Sequence, residues 1–284
     1  MTINIDCFKA YDIRGRIPDQ LNTDIAYRIG NATAAFLDAK RVVIGRDMRL
    51  SSADLTDAVT KVLTDAGVDE LDIGLCGTEM VYYATAHQKA DGGIMVTASH
   101  NPADYNGLKL VREDARPISG DTGLTDIRTL AEQDDRQSAG KTGERIETSI
   151  LTEYTRHILS CVDAEKLKPL KLVVNAGNGV AGLAIDALEP HLPFEFIKLH
   201  HEPDGNFPNG VPNPLLPENR SAAIAAVRSH GADLGIGWDG DFDRCFFFDE
   251  TGEFIEGYYV VGLLAEAFLQ REPGARIVHD PRLT

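Results

Sequence analysis

Apolar positions along the chain alternate between two periods. Leu55, Ala58, Val59, Val62, Leu63 and Ala66 recur at i, i+3, i+4 and i+7, a spacing that predicts a helix with one buried stripe. Ser51 or Ser52 is placed to cap its start, and Gly67 to end it in a left-handed conformation. Ile25, Ile29, Ala32 and Phe36 predict an earlier helix, and Val260, Val261, Leu263, Leu264, Ala267 and Phe268 a late one over Gly257 to Arg271. Between them stand short β-rich runs, Arg41-Val-Val-Ile44, Gly93-Ile-Met-Val96, Leu170-Lys-Leu-Val-Val174, Leu234-Gly-Ile-Gly-Trp238 and Cys245-Phe-Phe-Phe248, which read as strands. Strands interleaved with helices predict an α/β architecture.

The periodicity breaks over residues 134–147, a polar stretch with two glycines that reads as a surface link. The expected division is therefore a first unit over 1–147, a second over 148–253, and a remainder over 254–284. That remainder holds the late helix and one strand-like run, Arg276-Ile-Val-His-Asp280, too little to bury both faces of a sheet. Either it docks on the second unit or it begins a third domain missing from the chain; the second is the expectation. Arg41-Val-Val-Ile-Gly-Arg-Asp47, Leu172-Val-Val-Asn-Ala-Gly177 and Arg276-Ile-Val-His-Asp280 each place a strand before a polar turn, as a repeated α/β module would.

The 284 residues suffice for two domains with real cores. A formal charge of −16 disfavours nucleic-acid binding, which needs a cationic face. It leaves an anionic substrate open, because a local cluster of cations can outweigh the global field. Four cysteines without a Cys-x-x-Cys spacing indicate neither a zinc site nor a disulfide framework. The first residues lack a basic and apolar leader pattern, and no apolar run reaches the ~18 residues of a membrane span, so a cytoplasmic protein without a membrane partner is expected.

Two segments carry chemistry. Thr97-Ala-Ser-His-Asn-Pro102 presents a hydroxyl, Ser99, on a polar loop just after a strand. Asp239-Gly-Asp-Phe-Asp-Arg244 presents three carboxylates at alternate positions, also just after a strand. Carboxylates on a tight loop form the hard-oxygen site that Mg²⁺ prefers, and a serine carrying phosphate needs such a cation; the pair points to phosphoryl transfer. Alone, Ser99 is equally a loop serine with His100 and Asn101 satisfying a turn. Acyl transfer is disfavoured, because no Gly-x-Ser-x-Gly elbow is present and an adjacent histidine is badly placed to take the serine proton. A calcium loop starting at Asp239 fails, since Arg244 stands where glycine is needed and the flanks are β-like. Gly177-Asn-Gly-Val-Ala-Gly182 matches Gly-x-Gly-x-x-Gly but lacks a well-placed acid about 20 residues on, so a tight strand-to-helix turn is preferred over a dinucleotide site. Phe8-Lys-Ala-Tyr-Asp-Ile-Arg-Gly15 is either a first strand with a turn or the source of an arginine, Arg14, for phosphate. Lys109, in Tyr105-Asn-Gly-Leu-Lys109, is close enough in sequence to Ser99 to move a proton there.

These four segments, in this order, resemble the α-D-phosphohexomutase family across essentially the whole chain, nearest its bacterial phosphomannomutase branch of GDP-mannose and exopolysaccharide synthesis. Asp204-Gly-Asn-Phe-Pro-Asn-Gly-Val-Pro-Asn-Pro214 and Glu256-Gly-Tyr-Tyr-Val-Val-Gly-Leu-Leu-Ala-Glu-Ala-Phe268 support the resemblance. It implies tandem α/β domains, each a mixed sheet flanked by helices. It implies Ser99 as the phosphoserine, with Mg²⁺ between its phosphate and Asp239, Asp241 and Asp243. Arg14 and Arg244 would be active-site cations, Lys109 and His100 would serve proton transfer, and Tyr11, Arg14, Asn101, Lys109 and Arg244 would meet a phosphohexose substrate. The reaction implied interconverts mannose 1-phosphate and mannose 6-phosphate through a hexose 1,6-bisphosphate, with a phosphoglucomutase or dual-specificity mutase as the alternative. Such enzymes have four domains, so this chain would hold two and the start of a third, without the sugar-specificity and distal phosphate loops, and weak turnover is expected. Thr78-Glu79 stands where many members have Thr-Pro, a mark of the phosphomannomutase-like branch. A phosphatase with an aspartate nucleophile from the Asp239/Asp241 pair, and a metal-binding fragment without turnover, are the rival readings.

Overall fold

A computed structural model describes residues 4–133 and 140–278. The first unit runs β1 (Ile13–Arg16), α1 (Thr23–Leu37), β2 (Arg41–Arg46), α2 (Ser52–Asp65), β3 (Asp69–Leu75), α3 (Thr78–His87), β4 (Gly92–Val96), β5 (Tyr105–Arg112), β6 (Arg116–Pro117), α4 (Leu124–Gln133) and β7 (Arg145–Glu147). Its sheet has the order β1-β5-β4-β2-β3-β7, with β6 beside β5. Strands β4, β2, β3 and β7 are parallel, whereas β5 is antiparallel to both β4 and β1. Alternation along the central strands supplies both faces: Val42, Ile44, Ile94 and Val96 pack against α1, α2 and α4, and Val43 and Met95 pack against α3 and the start of the next helix. Both faces being covered explains why β4 reads as a continuous apolar run.

That next helix, α5 (Leu151–Ser160), is followed by β8 (Lys171–Asn175), α6 (Ala181–Leu188), β9 (Glu195–Leu199), α7 (Ser221–His230), β10 (Leu234–Trp238), β11 (Cys245–Phe248), β12 (Phe254–Ile255) and α8 (Gly257–Arg271). The second sheet has the order β12-β11-β10-β8-β9 and is also mixed. Val173 and Phe248 face α7, while Leu172 and Val174 face α6. The expected architecture of two mixed sheets with flanking helices is the observed one. No helix among the described residues is long and apolar enough to cross a membrane.

Two local readings change. Within the stretch read as a link, residues 134–139 lie outside the described residues, and Arg145–Glu147 pairs in parallel with β3. This edge strand is exposed along its length and shows no apolar period; charge holds it, with Arg145 at 2.6 Å from Asp72 and 3.0 Å from Asp57. The run expected as a last strand is unpaired over 276–278, and its end lies outside the described residues. Val278, 97 % exposed, meets no strand edge there. Helix α8 has the expected bounds but buries none of its residues; a cavity of about 380 Å³ separates its Tyr259, Val260, Leu263 and Leu264 from Leu234, Phe247 and Ile255 of the second sheet.

A buried acid in β3 makes stability depend on pH. Glu70 accepts a hydrogen bond from Thr60 through Oε1 at 2.8 Å, while its other oxygen has no hydrogen-bond partner and stands 3.9 Å from Arg145. Burial pushes this carboxyl up to about 7. The unfolded chain sheds the proton near 4.5 and the folded chain near 7, so this group's contribution is full at low pH and falls away as pH rises through that window. Glu70→Gln is expected to raise stability at pH 8 by on the order of 1–3 kcal/mol and to change little at pH 4. Urea unfolding at the two pH values checks this, and equal midpoints at pH 8 would mean that Arg145 fully compensates the ionised form.

Candidate active site

The two chemical loops meet where the parallel strands of both sheets end. After β4 the chain enters the left-handed region at Ser99, with φ of 51°. Ser99 is fully buried, and its N–H donates to Thr97 Oγ1 at 2.9 Å. The turn after β2 supplies the brace. Arg49 donates to the carbonyls of Ser99 and Asn101 through one terminal nitrogen, at 3.0 and 2.6 Å, and to those of Pro102 and Tyr105 through the other, at 2.7 and 2.9 Å. Its Nε lies 3.3 Å from Asp47, and its guanidinium sits 5.1 Å from the centre of the Phe207 ring. A planar cation with a fixed fork thus holds four carbonyls and the strained serine in one conformation.

The second loop joins antiparallel β10 and β11, whose last pair is Trp238 with Cys245. It is a hairpin end, not a helix-flanked calcium loop. Phe242 adopts φ of 46° and lays its ring against Gly77, where a Cβ would come within 2.2 Å of it. Gly240 approaches the first loop so closely that a Cβ would lie 2.7 Å from the Ser99 carbonyl oxygen. The glycines of the Gly-x-Gly-x-x-Gly segment serve packing as well: Gly177 faces Pro212, Gly179 faces the Gly240 carbonyl, and Gly182 faces the His201 carbonyl. A side chain at any of these three positions would collide with the protein, as a tight strand-to-helix turn requires.

These approaches bring Ser99 Oγ to Asp239, to which it donates at 2.7 Å. Ligand oxygens of Asp239, Asp241 and Asp243 lie within 4.8 Å of one another. Lys109, from β5, donates to Asp241 and Asp243 at 2.6 Å each. Thr78, at the start of α3, donates to the same Asp241 oxygen at 2.7 Å. The other oxygen of Asp241, and one of Asp243, are buried without a hydrogen-bond partner. Unpaired buried carboxylate oxygens are costly, and a hard divalent cation is the partner this donor set fits. Burial, with Asp241 and Asp243 adding their charge, pushes the Asp239 carboxyl up to about 7. Asp241 is fully buried too, but the Lys109 ammonium and its hydrogen bond outweigh desolvation and hold it down at about 2. Lys109 is itself buried, yet Asp241 and Asp243 raise its pKa, so it keeps its proton.

The expectation that a histidine adjacent in sequence is badly placed for the serine proton is not met, because the left-handed turn at Ser99 brings His100 Nδ1 to 3.2 Å from Ser99 Oγ; burial, with Arg244 and Arg14 nearby, lowers its pKa. Arg244 reaches Ser99 Oγ at 3.5 Å and stands 3.4 Å from Asp239 and 3.6 Å from Asp243. Arg14 is tied to Asp12 at 2.8 Å and to the Thr97 carbonyl at 2.9 Å, so it reaches the serine loop through the backbone. Asn101 enters through its carbonyl, which Arg49 holds. Tyr11 stands apart: it is 82 % exposed in the bend before β1, and among the described polar contacts it has none with this cluster.

Comparison with known proteins accords with this geometry. The model of phosphoglucomutase/phosphomannomutase α/β/α domain I matches residues 6–138, and that of domain II matches residues 152–252. The chain belongs to the phosphoglucomutase/phosphomannomutase family. A protein of Xanthomonas campestris named phosphohexose mutases is 62 % identical over 99 % of this chain. A phosphomannomutase of Escherichia coli K12 is 58 % identical over the same share. The chain spans 63 % of the length of each of these relatives. A crystal structure of a phosphoglucomutase/phosphomannomutase family protein from Burkholderia thailandensis superposes with a TM-score of 0.90 at 36 % identity, covering 96 % of this chain and 61 % of that one.

Sequence reasoning missed three members of the cluster, Asp47, Arg49 and Thr78. The signal for the first two was present. Asp47-Met-Arg49 directly follows a buried parallel strand, at the end where α/β sheets place their functional loops. Thr78 reads only as part of a branch mark with Glu79, because a threonine opening a helix gives no local sign of a partner in the other unit.

Proposed function

We propose that this polypeptide carries the phosphoryl-transfer centre of a phosphomannomutase, with Ser99 as the residue that gives and takes the phosphoryl group. The observation that carries the reading is buried Ser99 Oγ at 2.7 Å from Asp239, whose ligand oxygens lie within 4.8 Å of those of Asp241 and Asp243, with Arg244 reaching the same seryl oxygen. The name phosphomannomutase, borne by relatives at 58–60 % identity, supports mannose phosphates as substrates, which this reading has interconverted between the 1- and 6-positions, with glucose phosphates as the alternative class.

In the forward half-reaction a sugar hydroxyl oxygen attacks phosphorus on phosphorylated Ser99. The new O–P bond forms as the P–Oγ bond breaks, the attacking hydroxyl gives up its proton, and Oγ gains one. A hexose 1,6-bisphosphate results, and returning its other phosphoryl group to Ser99 completes the isomerisation. Arg244, partly exposed over the seryl oxygen, is placed to meet phosphate oxygens, and Arg14 fixes the loop from behind. His100, kept neutral by its surroundings, can accept or return the seryl proton at 3.2 Å. Lys109 enters as a proton donor, since two carboxylates hold its ammonium; it becomes an acceptor only when their charge is balanced otherwise. Asp239, Asp241 and Asp243 would hold Mg²⁺, which when bound neutralises charge on the transferring group.

The test is peptide mass analysis after incubation with a hexose 1,6-bisphosphate and Mg²⁺. One added phosphoryl group, stable in acid and located on Ser99, is expected. An acid-labile group on Asp239 or Asp241 would replace this reading with a phosphatase, and a folded, unlabelled chain would overturn it.

A further inference from the structure

The carboxylate of Asp241 is asymmetric in a way its own loop does not explain. One oxygen, Oδ2, receives Lys109 at 2.6 Å and Thr78 Oγ1 at 2.7 Å, while Oδ1 is buried without a partner. Thr78 makes two further contacts. Its N–H donates to the Asp241 carbonyl at 3.1 Å, and its hydroxyl accepts from Lys109 at 3.2 Å. The residue is fully buried, and it belongs to the first unit, whereas Asp241 belongs to the second. The preceding Gly77 receives the Phe242 ring, so backbone and side chain at 77 and 78 grip the same hairpin end.

We infer that Thr78 is a positioning residue: its hydroxyl fixes the rotation of the Asp241 carboxylate, so that Oδ2 is spent on Lys109 and Oδ1 is the oxygen offered to a divalent cation. A hydroxyl suits this because it donates to the carboxylate while accepting from the ammonium, which no apolar residue of the same shape can do. The inference rests on the proposed phosphoryl-transfer reading for its purpose, but its geometry does not depend on the identity of the sugar.

The test compares Thr78→Val, which keeps the shape, Thr78→Ser, which keeps the hydroxyl, and Thr78→Ala as a second deletion. Cation binding is read without turnover, by titrating Mg²⁺ or Mn²⁺ against the fluorescence of Trp238, the only tryptophan and the neighbour of Asp239. The half-saturating concentration is expected to rise roughly 10-fold in Thr78→Val and Thr78→Ala, as for other partners that orient metal ligands, and to return within about 3-fold in Thr78→Ser. Phosphoryl uptake on Ser99 at saturating cation should fall in the same order. An unchanged cation constant in Thr78→Val, or an equal loss in Val and Ser, would overturn the inference and assign the residue to packing. Failure of the unmutated chain to label Ser99 would instead count against the transfer reading, because the fluorescence titration still decides the role of Thr78.

Discussion

Ser99→Ala is expected to abolish phosphoryl uptake from a hexose 1,6-bisphosphate while leaving the two sheets folded. Removal of a nucleophile that acts as one unit with its neighbours costs on the order of 10⁴–10⁶-fold in rate, here a loss below detection. The structural cost is smaller. Alanine meets the same left-handed φ of 51° that serine already occupies, so little new strain enters. The loop remains held by Arg49, whose four bonds go to carbonyls and not to the serine side chain. What disappears is the 2.7 Å hydrogen bond to Asp239, leaving a buried carboxylate short of one donor at a cost of about 1–3 kcal/mol. Intact mass with and without the bisphosphate, alongside a thermal melt, separates the two effects. A variant that folds and still gains a phosphoryl group would move the nucleophile to one of the aspartates.

Strands β2, β4, β8, β10 and β11 were legible as short β-rich runs, β4 most clearly because both its faces are covered, whereas β3 and β9, which carry Asp69, Glu70, Asp72, Glu195 and Lys198 among their apolar residues, were not. Helices α1, α2 and α8 were legible from their stripes. Elements escaped where charge replaced the apolar period, as at β7, whose Arg145 pairs with acids of β3 and α2. Strand β5 escaped because Asn106, Gly107 and Lys109 break its pattern, and the structure gives each a reason. Asn106 bonds the Ser51 and Ser52 hydroxyls, Gly107 lets the Ile13 carbonyl approach, and Lys109 reaches the acidic loop. In the site, the serine and the three aspartates announced themselves by clustering within six-residue segments. Thr78 could not, since its Asp241 partner is 163 positions away in the chain; Arg49 stood at a strand end where functional loops gather, but the carbonyls it holds begin 50 positions away. Spacing along a chain reports local geometry, whereas a cross-unit hydrogen bond leaves no local trace.

Asp241→Asn is expected to impair cation binding, transfer and stability together, by separable amounts. Three carboxylates here face two cations, Lys109 and Arg244, so a phosphate on Ser99 adds charge to a loop that is already negative. Asp241 is the member most completely buried, and its unpartnered Oδ1 is the oxygen least satisfied by the protein itself. Replacing it with an amide removes one anionic ligand and should raise the half-saturating Mg²⁺ concentration by about 100-fold or more, with transfer slowed by roughly 10²–10³-fold even at high Mg²⁺. The stability change follows from linkage. Lys109 holds the Asp241 carboxyl at about 2 against the 3.8 of an ordinary aspartate, so its contribution is present above pH 3.8 and lost as pH falls toward 2. At pH 7 the variant should therefore be less stable, and the difference should shrink as the pH drops below 3. Melts across pH and a Trp238 titration of Mg²⁺ measure the two effects on the same preparations. A variant that binds Mg²⁺ normally but melts early would leave Asp241 as no more than the counter-ion of Lys109, and the cation site would then rest on Asp239 and Asp243.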